Sequence, residues 1–176
     1  MTEEQLNLLK KYRELTYINS LLAEQSYNYY VFIKNLVNIP LIIVNSAMVV
    51  INATITDEQL LKILNIILNS STGLILSLIS NFKIYESIQS FHQLYIKFNK
   101  LNHLIDSKMC NEPDNITTDF INTVISHYDG IIDTIEITFP NHIKKKIKNE
   151  YKDIQSLPTS LSVSIVEVCD TNRCCK

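Results

Sequence analysis

Asn38, Asn45 and Asn52 stand seven residues apart inside a stretch, residues 35–56, that holds no charged side chain. A seven-residue step along a helix drifts by only about 20°, so the three amides share one face. A second uncharged stretch, residues 63–82, carries Asn65, Asn69, Thr72 and Ser80 at separations of four, three and eight residues, which again forms one stripe. A carboxamide both donates and accepts hydrogen bonds, and it is costly in an apolar medium without partners. Two such stripes can bind helices to one another, or several copies of them can line a water-filled path. Neither stretch contains Asp, Glu, Lys, Arg or His. A proton relay or a charge-selective filter therefore finds no support here.

The rest of the chain offers little other chemistry. His92, His103, His127 and His142 have no cysteine or histidine at metal-ligand spacing. No serine sits in a nucleophile motif. Two glycines, Gly73 and Gly130, cannot build a phosphate-cradling loop. The sequence therefore predicts no catalytic residue, no metal, no cofactor and no enzymatic turnover. A net charge of -2 from 16 basic and 18 acidic residues gives no reason to expect a nucleic-acid partner. The four cysteines, Cys110, Cys169, Cys174 and Cys175, lack CxxC spacing and read as reduced thiols. Cys174 and Cys175 are open to palmitoylation, although the terminal Lys176 departs from the prenylation pattern. The polar, acidic start of the chain, Met1 to Gln5, is unlike a cleaved signal.

The elements that position the amides follow from the charge distribution. Lys34 and Asp57 enclose 22 uncharged residues, and Lys62 and Lys83 enclose another 20. Some 20 residues of helix cover the roughly 30 Å of a bilayer core, and a soluble bundle helix would carry charges every turn or so. The short connector from Asp57 to Lys62 makes the pair an antiparallel hairpin. Lys34, Lys83, Lys97 and Lys100 on the side of the termini, against Lys62 on the loop side, predict that both termini are cytosolic. The sequons at Asn52, Asn69 and Asn115 then lie within the spans or on the cytosolic side. Pro40, near the start of the first span, either begins a helix or kinks one.

Beyond the spans, Leu8, Tyr12, Leu15, Asn19, Leu22, Ser26, Tyr29 and Ile33 form a heptad stripe. Ile84, Ile88, Phe91, Tyr95 and Phe98 form a second, which Asn102 and Ile105 continue. The spacing predicts two helices that run unbroken out of the membrane and pair for up to about 25 residues, with His92 beside the seam able to hydrogen-bond the first. The cluster between Asp106 and Ile116 predicts a loop. Thr117 or Thr118 caps a further helix whose stripe is Ile121, Val124, Tyr128, Ile131 and Ile135. Phe139 and Pro140 stop it, and Pro140 can open another that carries Lys144, Lys145, Lys146 and Lys148. These lysines form either a solvated face or a contact with anionic lipid headgroups. Residues 156–176 have no helical period and read as a tail. The expected fold is an all-α membrane protein, one helical domain over residues 1–155: a transmembrane hairpin, its cytosolic amphipathic extensions, and one or two C-terminal helices.

This layout resembles the SLATT family, two-span membrane proteins found with bacterial nucleotide-signalling conflict systems and in large DNA viruses. The resemblance covers about residues 20 to 150. It is carried by Ala23 to Ile43 (AEQSYNYYVFIKNLVNIPLII), a polar helix entering a span with an early proline, and by Gly73 to Leu104 (GLILSLISNFKIYESIQSFHQLYIKFNKLNHL), whose His92 and Tyr95 match the helix after the second span. Tyr128 to Lys146 (YDGIIDTIEITFPNHIKKK) is similar to the ending of the viral members. The resemblance implies a pore-forming effector, and a nucleotide-signalling or protein partner. Together with the bilayer and a homo-oligomer, these complete the expected partners. A non-conducting scaffold that presents a helical stem to other proteins is the alternative.

Overall fold

The computed structural model describes residues 3–111 and 116–151. Among them the chain forms five helices and no strand: α1 (Glu3–Thr54), α2 (Glu58–Asn81), α3 (Ile84–Asn111), α4 (Thr118–Ile132) and α5 (Asn141–Glu150). The tail residues 156–176, with Cys169, Cys174 and Cys175, lie outside the described residues, and Cys110 is an exposed free thiol.

Helix α1 is 52 residues long, about 78 Å at 1.5 Å per residue. It contains no glycine, and its proline, Pro40, lies in the interior. Pro40 therefore does not begin the helix. Its missing N–H leaves the carbonyl of Leu36 without an intrahelical partner. The connector to α2 is shorter than the charge pattern implies, only residues 55–57. Asp57 caps α2, its carboxylate accepting from the N–H groups of Gln59 and Leu60 at 3.0 and 3.2 Å. Lys62 is already inside α2, paired with Glu58 one turn earlier at 3.8 Å.

The second long helix is not continuous. At Phe82 and Lys83 it breaks, with Lys83 in the left-handed region at φ 51°. The Lys83 N–H turns to the carbonyl of Ser80 at 3.0 Å, three residues back, before Ser87 resumes the four-residue pattern by bonding to Lys83. A left-handed residue with a side chain costs about 1–2 kcal/mol, and no glycine announces it. Two further boundaries differ from the sequence reading. Helix α3 continues through Asp106 to Asn111, where an Asn111–Ser107 side-chain bond supports its last turn. Helix α4 stops at Ile132, before Ile135 and Phe139, because the N–H groups of Thr134 and Ile135 close three-residue turns on Ile131 and Ile132.

The chain divides into two compact units. One comprises α1 up to Leu22, α3 from Tyr95, α4 and α5; the other runs from Ala23 to Leu94. The first has a conventional helical core. Leu9, Ile18, Leu22, Phe98, Ile105 and Val124 are buried there, and α5 adds Ile143 and Ile147. Leu8, at the head of the expected heptad stripe, is exposed, and its neighbour Leu9 takes the buried position. Thr117 caps α4 by accepting from the Phe120 N–H at 3.2 Å, and Pro140 occupies the N-cap position of α5. In the second unit, α1 and α3 meet through aromatic rings. Tyr30 stacks on Phe91 at 5.6 Å between centroids, and Tyr27 lies 5.1 Å from the His92 ring. His92 thus meets α1 by a ring contact rather than through a hydrogen bond.

Candidate functional site

The striped amides lie in the second unit, on α1 and α2. Asn65 donates from Nδ2 to Oδ1 of Asn52 at 3.3 Å. This pair marks the antiparallel register. Seven residues back along α1 from Asn52 is Asn45, and seven forward along α2 from Asn65 is Thr72, so these two stand at the same level. Near the other end, Asn38 donates to the phenol oxygen of Tyr85 at 3.2 Å. Tyr85 belongs to the first turn of α3, just past the break at Lys83. The sequence stripe did not include it, because its position depends on the left-handed residue.

Six of the seven stripe residues fall into two sets, and the seventh, Ser80, is exposed at the end of α2. Asn38, Asn52 and Asn65 hold hydrogen bonds within the chain. Thr72 is half-buried, while Asn45 and Asn69 are exposed and make no side-chain hydrogen bond to the described residues. Their surroundings are apolar. Ile42, Ile43, Val49, Ile66 and Leu74 are all more than half exposed. Ser46 and Thr54, also exposed, return their hydroxyls to the helix carbonyls of Ile42 and Val50, which satisfies them locally. An asparagine has no equivalent way to satisfy its whole amide.

Two helical stretches, Glu3–Thr54 and Glu58–Asn111, are long and apolar enough to cross a membrane, and only 6% of the most apolar window in each is buried. A core helix of a soluble bundle would bury most of that window. A groove of about 610 Å³ runs between α1 and α2, lined on one side by Val37, Pro40 and Val44 and on the other by Ser71, Thr72 and Ile75. Pro40 is thus a wall residue of this groove. Small side chains on both helices open it, flanked by long ones such as Leu41 and Leu68.

The remaining candidates lie in the other unit. Tyr95 is half-buried on α3. Lys145, Lys146 and Lys148 are exposed on α5, but Lys144 is 5% exposed and belongs to the packed face beside Ile143 and Ile147. The basic run therefore offers three lysines to solvent or to an anionic surface, not four. The same unit holds a buried polar contact that the sequence reading assigned to packing alone. Asn19 donates to the phenol oxygen of Tyr128 at 2.9 Å. Burial pushes the Tyr128 phenol above its usual pKa, against a lowering by that bond, and nearby Tyr12 and Asp129 push it further up. Arg13 pairs with Asp106 across α1 and α3. Among the described residues, no cluster of three His, Cys, Asp or Glu side chains could hold a metal ion.

The chain matches no family model, no curated protein and no solved structure.

Proposed function

We propose that this protein is a two-span integral membrane protein that assembles, through the outer faces of its hairpin, into an oligomeric channel-like pore. The observation that carries the proposal is the exposure of Asn45 and Asn69 among lipid-type side chains. Asn45 lies 11 residues beyond Lys34, about 16 Å into a helix whose apolar run would cross a roughly 30 Å core. An amide there needs a partner. A second copy supplies one, and rings of Asn45 and Asn69 around an axis would admit water. The resemblance to the SLATT family supports the same reading. With no charged group in the spans, conduction would be weakly selective and the protein would have no catalytic turnover. Both termini are cytosolic in this proposal, and the helical unit outside the membrane is where a nucleotide or protein signal would act.

The test is conductance. Full-length protein reconstituted in planar bilayers should pass discrete currents, and Asn45→Leu should abolish or alter them. Inserted protein that stays silent favours the second reading, a scaffold presenting its helical unit to a partner. That reading draws on the Asn52–Asn65 and Asn38–Tyr85 bonds, since these amides already serve to close the hairpin.

A further inference from the structure

We infer that the groove between α1 and α2 holds one acyl chain of an anionic phospholipid, with the phosphate at Lys34 and Lys83. The inference rests on the membrane reading of the hairpin. Along α1 the groove extends from Ile33 to Val44, which is about 16 Å of helix at 1.5 Å per residue. Along α2 and its C-cap it runs from Leu68 to Phe82, about 21 Å, so between its two walls the groove covers one leaflet of a roughly 30 Å hydrocarbon core and reaches slightly past its middle. Its lining suits the same occupant: Ile33, Leu41, Ile75, Leu78 and Phe82 make the walls apolar along that length, and a hydrocarbon chain covers them without bringing in polar groups that need partners.

The charge is at the right end. Ile33, Phe82 and Ile84 line the end of the groove away from the hairpin loop, and Lys34 and Lys83 adjoin them in sequence. Lys34 is one helical turn from Val37 and two from Leu41, both wall residues, so it shares their side of α1. Lys83 sits at the left-handed break, its ammonium 3.5 Å from the carboxylate of Glu86. An ammonium has three donors, so a phosphate can share it with Glu86. The break thus places a cation at the mouth of an apolar slot.

The experiment inserts full-length protein into vesicles of phosphatidylcholine with a minor share of phosphatidylglycerol. It is then extracted gently, and the retained lipid is counted by native mass spectrometry. Wild type should keep one phospholipid per chain, enriched in phosphatidylglycerol. Ile75→Trp, which fills the slot, should lose it, while Leu76→Trp, on the exposed face beside it, should not. Lys34→Gln and Lys83→Gln should each lower the phosphatidylglycerol preference by about fivefold. Inserted protein that retains no lipid, or retention untouched by Ile75→Trp, overturns the inference while leaving the membrane reading intact. Equal retention of both lipids by wild type overturns the headgroup assignment. A cross-link between two copies at Ile75 gives the slot to a second chain and overturns the lipid. Protein that never enters vesicles removes the membrane reading itself.

Discussion

In the unit built from both ends of the chain, Phe98, Ile18 and Ile105 are fully buried and Lys10, Lys145 and Lys148 face outward. In the hairpin of α1 and α2 the arrangement is reversed: Val49 and Ile66 are more than half exposed, while Asn52, Asn65 and Asn38 are hydrogen-bonded within the chain. Among the described residues both units are built from helices, but the two apolar runs of the hairpin carry no charged side chain. The difference is the solvent each surface suits. Water rewards burial of apolar area, whereas in a bilayer the unsatisfied amide is what must be hidden.

Substitutions that behave oppositely in the two units test this contrast. The largest effect belongs to the unit with the conventional core, where Phe98→Ala should destabilise by about 3–5 kcal/mol, read as a lower chemical-denaturation midpoint. Next comes Val49→Lys. On a water-exposed surface, a residue 70% exposed would tolerate lysine within about 0.5 kcal/mol, whereas inside a bilayer core it should weaken insertion by up to about 2.5–3.5 kcal/mol, the cost at the helix centre. An insertion assay that finds Val49→Lys neutral would return the hairpin to the soluble class.

Tyr128→Phe should follow, at about 1–3 kcal/mol, because the Asn19 amide then loses a buried partner. It also predicts a pH signature. Burial first, with Tyr12 and Asp129, holds the folded phenol's pKa above its unfolded value near 10. The phenol's stabilisation is therefore complete below about pH 10 and is lost as the pH rises through the folded value. Tyr128→Phe should flatten that alkaline decline, and an unchanged slope would assign it to other groups. The smallest effect is at the hairpin turn. Asp57→Ala removes a cap worth about 1 kcal/mol, measurable as fraying of the first turn of α2 by hydrogen exchange.

The two uncharged runs and the stripe pattern made the hairpin readable in advance, since a water-facing helix of that length would carry charges on its outer side. The Thr117 cap, the α4 stripe at Ile121, Val124 and Tyr128, and the opening of α5 at Pro140 were legible for equally local reasons. The break at Lys83 was not. Nothing in Asn81-Phe82-Lys83 marks a left-handed residue, so α2 and α3 read as one helix and Tyr85 was left out of the stripe. The extension of α3 through Asp106 was equally hidden, because contacts along it, such as the Asp106–Arg13 pair, reach residues as far as 93 positions away. Lys144 read as one of four equal lysines until packing placed it on the inner face of α5.

The sequence by itself therefore determined which segments are helical, though not where each one ends, which runs could cross a bilayer and which residues share a polar face. These properties depend on composition and on a period of 3.6 residues, and both are local. Only the tertiary structure decided which amides find each other and which are left facing outward. That division depends on the antiparallel register and the turn at Lys83, and both are settled by contacts between residues far apart in the chain.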